Sequence, residues 1–210
     1  MSLYEYRNEY TKATFEDSQL RTDPQQQFHL WLQEAISENA PEPTAMTLST
    51  VEANGQPTAR IVLLKSYEHD GLRFFTNYHS RKAVALEQQP QACLSFFWPT
   101  MQRQVRFEGV VSRIPVADSQ QYFDSRPLTS RLSAIASPQS RPLSREHLEA
   151  KLAEVQHQYG EHPPYPEFWG GYVLQPHYIE FWQGRACRLH DRFAFERLDT
   201  SGWHISRLAP

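Results

Sequence analysis

Five residues near the carboxyl end, Arg188-Leu189-His190-Asp191-Arg192, combine the side chains best suited to an anionic or electron-rich planar ligand. Arginine supplies a permanent charge and a fork of donors, and histidine exchanges a proton near neutral pH. Read as a strand, the period of two sets Arg188, His190 and Arg192 on one face, at about 6.5–7 Å per pair of residues. Leu189 and Asp191 then take the other face, and a solvated strand face would show the same pattern. Three further groups carry cations or hydroxyls at useful spacings. Arg60-Ile61-Val62-Leu63-Leu64-Lys65 places a cation at each end of an apolar strand, on opposite sides of it. Ser80-Arg81-Lys82 offers a hydroxyl, free backbone N–H groups and two cations at an expected helix start, which is a seat for phosphate. Tyr122, Arg126 and Ser130 recur every four residues, so a helix or compact loop would aim all three at one phosphate. An ordinary polar helix surface has that spacing too.

Composition narrows the chemistry. Of 210 residues, 40% are hydrophobic, 13% aromatic and 21% charged, which excludes disorder over most of the length. The net charge of −3, with no run of five or six like charges, gives no reason to expect a nucleic-acid or anionic-membrane surface. Charge is nonetheless uneven: 1–45 and 146–180 each carry −5, 101–145 carries +4 and 181–210 carries +2. The cationic segments are interleaved with aromatics and hydroxyls, as in a grip on a small phosphorylated aromatic molecule, although surface arginines paired with the acidic segments would also account for them. No apolar run approaches the roughly 20 residues of a membrane span, and the amino terminus has no secretory pattern, so a cytoplasmic location is expected. Two cysteines, Cys93 and Cys187, make neither a disulfide framework nor a four-thiolate zinc site, and no metal is expected. Cys93 reads as a buried small hydrophobe. Signatures for dinucleotides, nucleoside triphosphates, zinc proteolysis and serine-ester hydrolysis are missing.

The elements that must hold these residues follow from periodicity. Asp23-Pro24 opens a helix whose apolar stripe is Phe28, Trp31, Leu32, Ala35 and Ile36. Strands are expected over 44–51 and 58–66 about an Asn54-Gly55 turn, then over 72–76, 91–98, 102–114, 171–183, 187–197 and 203–208. Ser80 caps a helix over 81–88, a short helix lies around 118–123, and a stripe of Leu148, Leu152, Val155 and Tyr159 ends at Gly160. Strands joined by short loops, with helices gathered in three places, argue for an antiparallel barrel with peripheral helices.

In order and spacing these segments resemble the pyridoxamine/pyridoxine 5′-phosphate oxidase family. The resemblance rests on Arg60–Lys65, Phe75-Thr76-Asn77 with Ser80-Arg81-Lys82, Arg103-Gln104-Val105, Tyr122-Phe123 with Ser125-Arg126-Pro127, Gln139-Ser140, Phe168-Trp169-Gly170-Gly171, and Glu180–Gly184 with Arg188–Arg192. It runs from about Arg7 to Pro210. It implies a mainly β fold with peripheral helices, an FMN-binding split β-barrel over 23–210, preceded by a mobile segment over 1–22. It also implies a homodimer with FMN at the subunit interface, and oxidation of pyridoxamine or pyridoxine 5′-phosphate to pyridoxal 5′-phosphate. Oxygen would be the acceptor, giving hydrogen peroxide, and ammonia from the amine.

Carried over residue by residue, the flavin contacts fall on Arg60, Ile61, Val62, Leu63, Leu64, Lys65, Phe75, Thr76, Arg81, Lys82, Gln104, Gln139, Ser140, Trp182 and Arg192. The clamp for the substrate phosphate falls on Lys65, Tyr122, Arg126 and Ser130. Arg188 and His190 fall over the pyridine ring as the catalytic pair, and Arg7 and Tyr10 fall in a closing amino-terminal segment. Departures from the family pattern occur at Asn8, where a second basic residue is usual, and at Ile135, Pro138 and Cys187. Two phosphorylated planar rings would explain two cation clusters, and a hydride acceptor must come from a flavin because no side chain provides one. A split-barrel protein that holds FMN, haem or pyridoxal phosphate without turnover would not need the second clamp. An FMN reductase would need a nicotinamide donor.

Overall fold

Asp23 opens the first helix as its sequence dictates: its carboxylate accepts the Gln25 N–H at 2.9 Å, and Pro24 fills the first turn, where no donor is needed. The computed structural model describes residues 2–5, 9–198 and 202–210. In chain order the elements are α1 (Pro24–Ser37), β1 (Ala45–Val51), β2 (Pro57–Leu63), β3 (Ser66–Glu68), β4 (Gly71–Asn77) and α2 (Arg81–Gln88). There follow β5 (Gln91–Trp98), β6 (Arg103–Arg113), α3 (Val116–Ser125), α4 (Leu128–Ala136), α5 (Arg145–Tyr159), β7 (Trp169–Gln183), β8 (Asp191–Arg197) and β9 (Trp203–Arg207).

All strand pairs are antiparallel, in the order β2-β1-β5-β6-β7-β4-β3, with β8 beside β7 and β9 outside β8. The long strand β7 organises the sheet. One edge follows β6 throughout, with His177 bulged between the Glu108–Tyr178 and Gly109–Pro176 pairs. Its other edge is divided: Trp169–Leu174 pairs with β4, and Tyr178–Gln183 pairs with β8. The sheet curls around an aromatic core into which α1 inserts Phe28, 5.0 Å from both Phe96 and Phe107. Burying that ring contributes about 1.5–3 kcal/mol.

Several expectations need correction. The strand expected over 58–66 ends at Leu63. There the chain turns a corner, since the Leu64 N–H still bonds to Thr44 near β1 while the Lys65 N–H bonds to Arg73 of β4. Tyr122, Arg126 and Ser130 do not share one helix. Pro127 disfavours helical backbone at Arg126, which is extended and separates α3 from α4. The strand expected from Cys187 starts only at Asp191, because Cys187 and Arg188 adopt left-handed φ of 54° and 61° in a 3-10 turn. Ile36 faces outward rather than into the core, and Cys93 is half-buried, its thiol pushed up to about 11 by burial. Residues of the 1–22 segment pack against the body at Phe15, which is buried between Trp31 and Phe193.

Candidate functional site

The first anion seat forms at the amino terminus of α2. Ser80 is buried and caps the helix through Ala83 N–H, leaving the two following side chains to define the seat. Lys82 Nζ lies 3.1 Å from Thr76 Oγ1, and Thr76 Oγ1 in turn donates to Gln139 Oε1 at 3.2 Å. The Arg81 N–H donates to Ser140 Oγ at 3.2 Å. Arg60 stands close enough to be felt. Burial and the Arg60 charge hold Lys82 below its ordinary pKa, and burial and Arg81 do the same to Arg60. Two cations at a helix start and a third reaching toward them from β2, with hydroxyls between them, suit a phosphate dianion. Two of them are already engaged: Arg60 bonds to Leu48 O, Thr50 and Thr58, and Arg81 pairs with Glu52.

The second seat adjoins the first through Gln139. This side chain also accepts the Asn77 N–H and lines a cleft of about 360 Å³ with Asn77, Arg126, Ser130 and Trp169. Arg126 lies over the Trp169 ring at 4.7 Å, and its Nη1 is buried without an acceptor. A cationic donor in that state costs free energy until an anion meets it. Tyr122 stacks on Phe75 at 4.0 Å, and Lys65 Nζ is 5.9 Å from the Tyr122 ring. Glycine makes this shelf possible. A Cβ on Gly171 would sit 2.8 Å from Phe75 and 2.4 Å from Ile114, so any side chain there would displace the ring.

The remaining candidates gather at the far end of β7. Gln104 pairs with Trp182, and Trp182 with Arg192, so strand register puts all three in one row on one sheet face. Phe97, 53% exposed, extends the row on β5. His190 packs against Trp182 at 4.6 Å and Tyr10 at 5.8 Å between ring centres. Its Nδ1 accepts the Arg185 N–H at 3.1 Å, so the neutral ring carries its proton on Nε2. Burial, then Arg188 and Arg192, hold its pKa below the ordinary value. Arg188 is exposed on the left-handed turn and shares no strand face with Arg192.

Ile61 and Leu63 point outward on the edge strand β2, whereas Val62 is half-buried and Leu64 buried. Arg7 and Asn8 lie outside the described residues. Ile135 and Pro138 are half-buried beside the second seat, and the Cys187 N–H donates to Glu9. Sequence reasoning gave no role to Asn77, Trp169 or Glu180. Glu180 is buried and accepts from Arg106, Tyr178 and, at 2.9 Å, Arg192 Nε. Its signal was a carboxylate inside an aromatic strand, where a charge needs a partner.

Comparison with known proteins places the chain among its relatives. A family profile described as pyridoxamine 5′-phosphate oxidase matches residues 32–159, and one described as the pyridoxine 5′-phosphate oxidase C-terminal dimerisation region matches residues 169–210. The pyridoxine/pyridoxamine 5′-phosphate oxidase of Bordetella pertussis is 52% identical over 210 residues, covering all of both chains. That of Janthinobacterium sp. (strain Marseille) is 52% identical over 212 residues, with the same coverage. Among solved structures, PhzG from Burkholderia lata 383, in complex with tetrahydrophenazine-1-carboxylic acid, superimposes with a TM-score of 0.89 at 28% identity. It covers 95% of this chain and 99% of its own. An FMN-binding protein from Nostoc punctiforme, 19% identical with a TM-score of 0.72 over 91% of this chain and 100% of its own, shares the fold. The chain therefore belongs to the pyridoxine/pyridoxamine 5′-phosphate oxidase family of FMN-dependent oxidases.

Proposed function

We propose that the protein oxidises pyridoxamine and pyridoxine 5′-phosphate to pyridoxal 5′-phosphate with oxygen as acceptor. The observation that carries the reading is the pair of adjoining anion seats, one of them holding an orphaned Arg126 nitrogen. Lys82, the Arg81 N–H, Thr76, Gln139 and Ser140 would hold the FMN phosphate, with Arg60 adding charge from behind. Arg126, Ser130, Tyr122 and Lys65 would clamp the substrate phosphate. FMN, when bound, supplies the hydride acceptor that the protein lacks. Overall, the C–H bond at the substrate carbon bearing the amine or alcohol breaks with loss of a hydride, two electrons and one proton together, and the nitrogen or oxygen gives up a second proton as the C=N or C=O double bond forms. Oxygen takes up both electrons and two protons to give hydrogen peroxide, and water hydrolyses the imine from the amine to aldehyde and ammonia. Arg188 and the neutral His190 orient the ring and stabilise the charge that moves as the proton leaves.

The same reading places the site between two subunits. Trp169, beside Arg126, and Trp182, beside His190, are thirteen positions apart on β7, which at roughly 3.3 Å per residue is on the order of 40 Å along the strand. A single small substrate does not span that distance, whereas a second copy can bring its Gln104–Trp182–Arg192 row and its His190 to the first chain's anion seats. The carboxy-terminal match to a dimerisation region supports this arrangement. Residues 23–210 then form one split-barrel domain, preceded by the amino-terminal segment 1–22. The test is a flavin spectrum on purified protein and peroxide production on adding pyridoxine phosphate. Flavin without peroxide would favour a passive binder, and peroxide only with a reduced nicotinamide would favour a reductase.

A further inference from the structure

Asp191 starts β8 immediately after His190 and is 5% exposed. Its carboxylate accepts from three separate parts of the chain, each at 2.9 Å: the Phe15 N–H, Arg185 Nη1 and Arg207 Nη1. Burial alone would raise the pKa of this carboxyl, yet these donors hold it below the ordinary value. Glu16 and Asp17 continue the network outward, Glu16 to Arg185 and Asp17 to Arg207. The consequence for the site lies in Arg185. Its guanidinium is pinned by Asp191 and Glu16, while its backbone N–H is the donor that occupies His190 Nδ1. After Ala186, Cys187 and Arg188 are left-handed, a backbone state unfavourable to residues with a side chain that persists only where neighbours enforce it.

We infer that Asp191 is a positioning residue: through Arg185 it fixes the tautomer and orientation of the His190 ring and holds the strained turn that carries Arg188. This inference rests on the reading that places His190 over the substrate. Asp191 itself touches no ligand there. Asparagine at 191 keeps the shape but removes the charge: Arg185 and Phe15 share Oδ2 and Arg207 uses Oδ1, so an NH₂ at Oδ2 leaves Arg185 to Glu16 alone, an NH₂ at Oδ1 leaves it only a neutral acceptor, and either way the N–H loses the charged anchor of its aim at Nδ1.

The experiment uses the dimeric, flavin-loaded protein with ¹⁵N-labelled histidine. His190 is assigned by subtracting the spectrum of a His190→Gln variant, and its tautomer is read at neutral pH beside kcat and KM for pyridoxine phosphate. In Asp191→Asn, His190 is expected to leave the pure Nε2–H state, and kcat to fall about 10–100-fold, the cost of misplacing a reacting group. KM is expected to change less than about threefold, because the phosphate clamp is untouched. Asp17→Asn, which removes only an outer partner of Arg207, should leave the tautomer and kcat at parental values. A folded Asp191→Asn dimer with the parental His190 tautomer would overturn the inference. So would an Asp17→Asn variant that shifts the tautomer equally, since the effect would then be general loosening. Should Asp191→Asn fail to fold, Arg185→Met leaves Asp191 bonded to Phe15 and Arg207, and a parental tautomer there overturns the inference as well. Because the tautomer is read without turnover, a protein that failed to oxidise pyridoxine phosphate would sink the functional reading and leave this one separately tested.

Discussion

Arg126 concentrates the residue-scale argument, since its Nη1 is buried with no acceptor while its guanidinium lies over Trp169. Arg126→Met keeps the stem and deletes the unmet charge. The ligand-free protein should be no less stable, because an unsatisfied buried cation costs stability. Affinity for the substrate phosphate should fall about 10–100-fold, the equivalent of one charge-assisted hydrogen bond of 1.5–3 kcal/mol. Thermal unfolding and KM for pyridoxine phosphate check both halves, and an unchanged KM would remove Arg126 from the clamp. His190 gives a second prediction. Burial and two arginines keep its ring neutral below the ordinary histidine range. Removing a neighbouring cation favours the protonated form, so Arg188→Gln should raise the His190 pKa in an NMR titration; a fall or no change would place Arg188 too far away to matter. Residue identities at both places were legible as cation and imidazole. Their grouping was not: a period-two reading of 188–192 presumes extended backbone, and nothing in Cys187-Arg188 announces left-handed φ in the way a glycine would.

At the scale of elements, legibility followed the punctuation. The α2 and β5 boundaries came out as expected because Ser80 caps and Pro90 stops, each for a backbone reason independent of tertiary context. The corner at Leu64-Lys65 was hidden, since it arises from an exchange of hydrogen-bonding partners between β1 and β4 that no local residue type requires. The elbow at Pro127 was visible in principle, as proline constrains the residue before it, but the four-residue spacing of Tyr122, Arg126 and Ser130 fits a helix as well as a compact loop and does not choose between them. The element with the clearest functional consequence is α2. An Arg81→Ala, Lys82→Ala double variant should bind FMN at least tenfold more weakly while its dimer mass and fold are retained, because the charge-assisted Lys82 contact and the positive charge of Arg81 beside the helix start are lost. Equilibrium dialysis with free FMN measures this. Unchanged affinity would move the flavin phosphate away from α2.

For the whole molecule, the sequence names most of the candidates, though not Asn77, Trp169 or Glu180, without saying which chain of a dimer each one serves. Only the length of β7 separates them, with Lys65, Phe75, Thr76, Lys82 and Arg126 toward Trp169, and Gln104, Arg192 and His190 toward Trp182. If one chain supplied a whole site, two lesions in different chains could never restore activity. If each site draws one group from each subunit, they must. Assayed with pyridoxine phosphate well below KM, Arg126→Met and the Arg188→Ala, His190→Ala double variant are each expected to be folded and dimeric, with activity at least tenfold below the parental value. Mixed after reversible dissociation, half of the dimers are heterodimers, and in each of these one site collects both lesions while the other collects none. Activity should therefore return to about a quarter of the parental value at equal mixing, the statistical share of intact sites among all sites. Subunit exchange is verified independently by mass spectrometry of tagged heterodimers. Confirmed exchange with no recovered oxidation would show that both groups of residues serve the same chain, and that the distance along β7 is closed by a change of shape within one subunit.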